Sequence, residues 1–456
     1  MKKALATILA LVMALGLTTA AWADTTVEAS TSELATTGTY VLTADVTLNS
    51  GMLTIPENAD VTLNLGAFKL TGSIVNKGKL KVIGTGSVVA TAAETAAVAN
   101  FPGGTVTLSG GTYESANWYV IKNMGEMYIN GPVNVQKPQN STDTSSLIDN
   151  GWYGSTDTVA NEQVPARANA AKLVISDGHF NGKSGAKSCS VVKNDDYGEL
   201  EISGGTFDST ANTGTSNAAT LLNWNVATIS GGTFRGMYPI SNGAYNNDAD
   251  KGQITITGGE FIGTSTIFGN GQGGDGKGAV TVSGGTFTAP ALGAGYENAR
   301  GGYTLAVTGG TFSSDVSDYV AGDTPVAFTF NEGTSNNRTY YVGAGTIQNV
   351  ANNLSAGQQL WIVKGTVTLM GVPAGVTVYP EYGTVVSVNG KDISNERDGY
   401  TVPQSSGYYY YQPTTDTKTD DTKGSPKTFD AGIALYVGMA LTSAAGVAFV
   451  GKKRED

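Results

Sequence analysis

The chain is poor in reactive and charged side chains. Among 456 residues it has one cysteine, Cys189, and one histidine, His179. A single cysteine excludes a disulfide framework. It lies in Ser188-Cys-Ser-Val-Val192, a strand-like pattern, and reads as a small buried residue. A single histidine excludes multi-histidine metal sites. It also argues against a serine–histidine triad, because His179 stands where sibling segments carry threonine and reads as a plain turn or surface position. Charged residues make up 14%, and Asp and Glu outnumber Lys and Arg by 38 to 27, a net charge of -11. That balance argues against nucleic acid as a partner, since basic patches supply most of that affinity.

Glycine is plentiful, with 62 residues, and 13 of them sit in seven near-copies of one segment. These are Val106-Thr-Leu-Ser-Gly-Gly-Thr-Tyr113, Leu173-Val-Ile-Ser-Asp-Gly-His-Phe180, Leu200-Glu-Ile-Ser-Gly-Gly-Thr-Phe207, Ala227-Thr-Ile-Ser-Gly-Gly-Thr-Phe234, Ile254-Thr-Ile-Thr-Gly-Gly-Glu-Phe261, Val280-Thr-Val-Ser-Gly-Gly-Thr-Phe287 and Leu305-Ala-Val-Thr-Gly-Gly-Thr-Phe312. From Ser176 through Ser203, Ser230, Thr257 and Ser283 to Thr308 the steps are 27, 27, 27, 26 and 25 residues. A period in this range marks stacked units that cannot bury their apolar faces alone. Each unit alternates with a strand period and none with a helical one, so the stack is expected to be a parallel β-helix. Equivalent residues then lie above one another. The pattern predicts an inward ladder of Tyr113, Phe180, Phe207, Phe234, Phe261, Phe287 and Phe312.

A second strand recurs between these segments and ends each time in asparagine: Asn123, Asn150, Asn194, Asn223, Asn242 and Asn270. Stacked asparagines can bond coil to coil and tolerate turns. Val61-Thr-Leu-Asn-Leu65, Leu80-Lys-Val-Ile83 and Met127-Tyr-Ile-Asn130 extend the strand pattern without the Gly-Gly corner. Between Asn130 and Ser176 the spacing implies one coil with a long insertion, roughly 152 to 170. Long loops on repeat scaffolds are often where function sits. Past about Pro325 the repeat fades. Ile347 to Leu354 suggests a short helix, with strands at 358–363, 366–369 and 376–378. We therefore expect 24–326 to be the β-helix and 327–412 a C-terminal β-rich cap or small domain.

The coil period and strand pattern over 40–315 resemble the right-handed parallel β-helix, or pectate-lyase-like, superfamily. The likeness implies a fold and leaves function open. Many members cut acidic polysaccharides, but the polygalacturonase-type Gly-His-Gly and the pectate-lyase Arg-x-x-Pro-x-x-Arg patterns are absent. The expectation is a protein without enzymatic activity. The rival expectation is a wall-tethered polysaccharide lyase or glycoside hydrolase.

Both ends carry targeting patterns. Lys2 and Lys3, the apolar stretch Ala4 to Leu17 and Ala21-Trp22-Ala23 read as a secretory signal over 1–23. Residues 413–424, mostly Thr, Asp and Lys, read as a solvated spacer. Ser425-Pro426-Lys427-Thr428 then precedes an uncharged apolar run of 18 residues, Ile433 to Val450, and Lys452-Lys453-Arg454. A run of that length just suffices for one transmembrane helix. Motif, span and basic stop together resemble the cell-wall sorting signal of Gram-positive surface proteins over 425–456. Pro426 and Thr428 match its Leu-Pro-x-Thr-Gly form, Ser425 replaces the Leu, and Phe429 replaces the Gly. The resemblance implies sortase and peptidoglycan as partners, and a membrane passage through the C-terminal helix.

For a ligand, the sequence offers large aromatics just after the second strand: Trp152, Tyr197, Trp224 and Tyr245, with Tyr296 in a later coil. Asp149, Asp195, Asp196, Asp248, Asp275 and Glu297 accompany them. Standing exposed in turns along one edge, such groups suit sugar rings. Acidic oxygens there suit Ca²⁺, although Gly273-Gly-Asp-Gly276, the nearest thing to a calcium turn, occurs once, and no cofactor is expected. The reading is a surface adhesin or glycan-binding protein, with a polysaccharide or host glycan as ligand. A purely structural surface component is the remaining alternative.

Overall fold

Side-chain alternation decides which face of each strand is buried. In Val226–Ile229, Ala227 and Ile229 point inward and are buried, while Val226 and Thr228 face out. The computed structural model describes residues 24–404 apart from 139–140, 169, 183–188, 212–218, 244–251, 270–277, 294–303, 322–325, 331–336 and 343–346. From residue 25 to residue 312 the strands stack as a parallel β-solenoid. Its first face is a 12-stranded sheet in which each coil pairs in parallel with the next. Identical or similar residues are opposed: Ile175, Ile202, Ile229, Ile256, Val282 and Val307 run in register through the core.

The Gly-Gly corner has two separate causes. A Cβ on Gly231 would lie 2.2 Å from the carbonyl oxygen of Ser203 in the preceding coil, so close stacking admits no side chain. Gly232 has φ +93°, a conformation that favours glycine. The corner delivers the second strand, whose aromatic turns inward. Phe180, Phe207, Phe234, Phe261, Phe287 and Phe312 stack with ring centroids 4.5–4.9 Å apart and planes within 7° of parallel. Tyr113 does not meet Phe180 directly, as the ladder of seven supposed. Val135 occupies the intervening coil, in register with both, because the corner before it reads Gly131-Pro-Val133 and carries no aromatic.

The asparagine strand, expected as the second, is the third of each coil, since the inward aromatic stands on a strand of its own, as in Thr206–Asp208 before Leu221–Asn223; this third strand ends in the asparagine column. Each Nδ2 donates to the Oδ1 of the next coil: Asn76 to Asn100, Asn100 to Asn123, Asn123 to Asn150, Asn150 to Asn194, Asn194 to Asn223 and Asn223 to Asn242, at 2.7–2.8 Å. Asn76 and Asn100 extend the expected column towards the N-terminus. Asn270 lies outside the described residues. Cys189 is buried and His179 faces out.

The expected insertion is present and is an antiparallel hairpin, Thr156–Val159 with Glu162–Pro165. Beyond the solenoid, a short helix Ile347–Asn352 leads into two parallel pairs, Gln359–Ile362 with Thr377–Pro380 and Thr366–Leu369 with Val385–Val388. Leu360, Ile362, Leu369, Val378 and Val388 belong to a second apolar core, separate from the one that runs from Val27 to Val326. No helix among the described residues is long and apolar enough to cross a membrane. Residues 1–23, expected to be a secretory signal, residues 413–424, expected to be a spacer, Ser425–Thr428 and the apolar run 433–450 lie outside the described residues.

Candidate functional site

On the third strand the outward residue of each coil should meet solvent. Instead the column Val75, Ala99, Lys122, Asp149, Lys193, Leu222 and Ser241, in register from coil to coil, is buried throughout. The hairpin covers part of it. Trp152, Val159 and Val164 of the inserted segment pack with Val75, Ala99, Phe101 and Met124 in a small apolar core outside the solenoid wall.

The placement expected for the aromatics is corrected here. Trp152 has no exposed surface; its Nε1 donates to the Val164 carbonyl at 3.0 Å and its backbone N–H to the Asp196 carbonyl at 2.9 Å. Tyr197, half-buried with φ +62°, packs edge-on against Trp152 at 6.2 Å. Trp224 is 6% exposed and lies 5.9 Å from the ring of Tyr153, which is 55% exposed. Trp152 and Trp224 are thus packing residues of the hairpin and its surroundings. A long insertion folds back on the turn that launches it, and the large aromatics there are what it buries. Tyr245, Tyr296, Asp248, Asp275 and Glu297 lie outside the described residues.

The hairpin also closes over charge. Lys122, fully buried, donates to Asp149, to Asp157 Oδ2 at 2.5 Å and to the Gly151 carbonyl at 2.9 Å. Burial alone would lower the Lys122 ammonium, but Asp149 and Asp157 hold it above the usual lysine range. Lys193 donates to Asp195 at 2.6 Å and lies 4.2 Å above Trp224 and 4.8 Å above Tyr153. Burial, then the charge of Asp149, pushes Asp195 up to about 7, against the pull of Lys193 and Lys122. A neutral acid beside a carboxylate is the raw material of acid–base chemistry. Here, however, Asp149 and Asp195 have no exposed surface, so the pair meets no substrate. No group of acidic, histidine or cysteine side chains suited to a metal occurs among the described residues.

An open site lies on the second face. Glu114, Gln136, Asn181 and Asp208 are the outward residues of four successive coils, in register. With Lys137, Pro138, Gly182, Thr210 and Ala211 they line a groove of about 480 Å³. Gln136 donates to Glu114, and Asp208 accepts from the Thr210 backbone at 2.8 Å. Lys137 is buried at the edge and paired with Asp143, which it holds below the usual carboxylate range against the opposing effect of burial. This column was missed in the sequence, because only its inward neighbours repeat. No family model, curated protein or solved structure matches the chain.

Proposed function

We propose that the chain is an exported, wall-displayed β-solenoid that binds a polymeric glycan along its second face. The observation that carries this reading is the polar column Glu114, Gln136, Asn181 and Asp208 in its groove. Coils rise about 4.8 Å each, close to the advance of one sugar ring in an extended polymer. Amide and carboxylate groups at that spacing offer successive rings donors and acceptors. The sequence supports display: a signal-like start, a polar spacer, and Ser425-Pro426-Lys427-Thr428 followed by an apolar run and a basic stop. In this reading sortase and peptidoglycan are the partners, residues 327–412 act as the cap, and the coil pattern is that of the right-handed pectate-lyase-like proteins.

Binding is favoured over hydrolysis. The groove carboxylates Glu114 and Asp208 stand three coil steps apart, about 14 Å by coil stacking, whereas glycosidase pairs are separated by roughly 5–9.5 Å. The test is affinity electrophoresis through gels holding neutral or acidic polysaccharides, with the double variant Asn181→Ala, Asp208→Ala as control. The wild type should be retarded by at least one polymer. The variant, changed only at solvent-facing positions, should melt as wild type and run unretarded. Equal retardation of both would remove the groove from the reading.

A further inference from the structure

The proposed glycan groove makes no use of the ion cluster beneath the hairpin. Lys122 and Asp149 are register partners on adjacent coils, both fully buried, with Nζ against the Asp149 carboxylate. A third group, Asp157 of the hairpin, accepts from the same Nζ at 2.5 Å. Asp149 Oδ1 is buried and has no hydrogen-bond partner among the described residues. Two fully desolvated charges, one with a bare oxygen, make an expensive arrangement. The same atoms have a neutral alternative.

We propose that Lys122 and Asp149 condense into an isopeptide bond that ties two adjacent coils together. Asp157 takes a proton from the Lys122 ammonium and passes it to Asp149, so that a neutral amine faces a neutral carboxylic acid, and the Nζ lone pair attacks Asp149 Cγ to form the C–N bond. One Asp149 oxygen then departs with two protons, both originally on Nζ and relayed through Asp157, and leaves as water. Ammonium plus carboxylate become amide plus water; charge cancels, nothing is oxidised or reduced, and Asp157 ends as it began. The strand register holds nucleophile and electrophile together, which supplies the proximity that free groups lack. The product replaces a buried carboxylate having one unpartnered oxygen with a neutral carbonyl, which is less costly to leave bare.

Asp149 is the electrophile, and Asp157 the proton carrier, for a structural reason. The Asp157 side chain is 18% exposed and also accepts from the Tyr153 backbone at 3.4 Å, so its charge is better solvated than that of Asp149. The Lys193 and Asp195 pair differs again: the two stand two residues apart on one coil, so a bond between them would join no neighbours.

The experiment is tandem mass spectrometry of a chymotryptic digest of the purified full chain. The expected result is one branched species joining the peptide with Lys122 to the peptide with Asp149, lighter than their sum by one water. Asp149→Ala should abolish it. Asp157→Asn keeps the shape of the carrier but not its basicity, and should return most of both peptides in linear, unmodified form. Wild-type protein yielding only the two linear peptides would overturn the proposal, whatever the variants do. A branched species in full yield from Asp157→Asn would overturn the mechanism assigned to Asp157.

Discussion

Asp149 and Asn150 are sequence neighbours with opposite legibility. Asn150 faces inward, bonds Asn123 and Asn194, and belongs to a column whose repetition is plain in the sequence. Asp149 faces outward, where the coil repeat puts Lys, Asp, Lys, Leu and Ser in turn and leaves no pattern to read. Its burial comes from a hairpin that the repeat does not contain. The consequence is measurable at Asp195. With its folded pKa raised from 3.8 to about 7, the native state holds a proton that the unfolded chain has lost. The native excess of bound protons makes stability fall as pH rises through that window. Burial is the larger cause of the shift, so the slope persists whether Asp149 is free or joined to Lys122. Melting temperature should therefore decline from about pH 4 to about pH 7. Asp195→Asn, which mimics the protonated acid, should flatten that decline. An unchanged slope in the variant would mean that Asp195 titrates as an ordinary surface carboxylate.

The hairpin is the element that the sequence located but could not orient. Its length was readable as a break in the 27-residue step, and its aromatics were readable as unusual. Whether Trp152 faced solvent or protein depended on where the insertion folded, which no local pattern encodes. It folds onto the third face, fastened by Trp152 and Val164 inside and by Lys122–Asp157 and Lys77–Glu162 at its margins. These contacts are separate from the main core, so they should fail separately. Trp152→Ala removes a fully buried indole and its hydrogen bond to Val164, a loss of about 3–5 kcal/mol for such truncations. The loss should appear as fast amide exchange across residues 156–164, while Ile202, Ile229 and Ile256 remain protected. Uniform deprotection of the sheet would show instead that the hairpin and solenoid form one cooperative unit.

At the scale of the molecule, stability is close to a sum of identical interfaces between neighbouring coils. The fold was legible for that reason. Residues that recur at a fixed step must stack, and Phe207, Phe234 and Phe261 do so in near-identical geometry. The same logic makes a whole coil removable. Excising residues 231–257, 27 in all, joins Ser230 to Gly258 and restores the Ser-Gly-Gly corner. Phe207 would then face Phe261, and Ile229 would face Val282. The first replacement is identical to the partner it succeeds, Phe234, and the second is one methylene smaller than Ile256. The ion cluster of Lys122, Asp149 and Asp157 lies N-terminal to the cut and keeps its neighbours, whereas Asp208 at the edge of the groove exchanges Arg235 for Ile262. Excising only 231–243 removes about half a coil, with its Gly-Gly corner, Phe234 and Asn242, so inward and outward positions no longer match those of the next coil. The full-coil deletion should retain the β-sheet circular dichroism and one cooperative melt at a modestly lower temperature, and the half-coil deletion should not fold. Equal behaviour of the two would mean that register between coils does not control this fold. Stability would then rest on something other than the stacked columns of isoleucine, phenylalanine and asparagine.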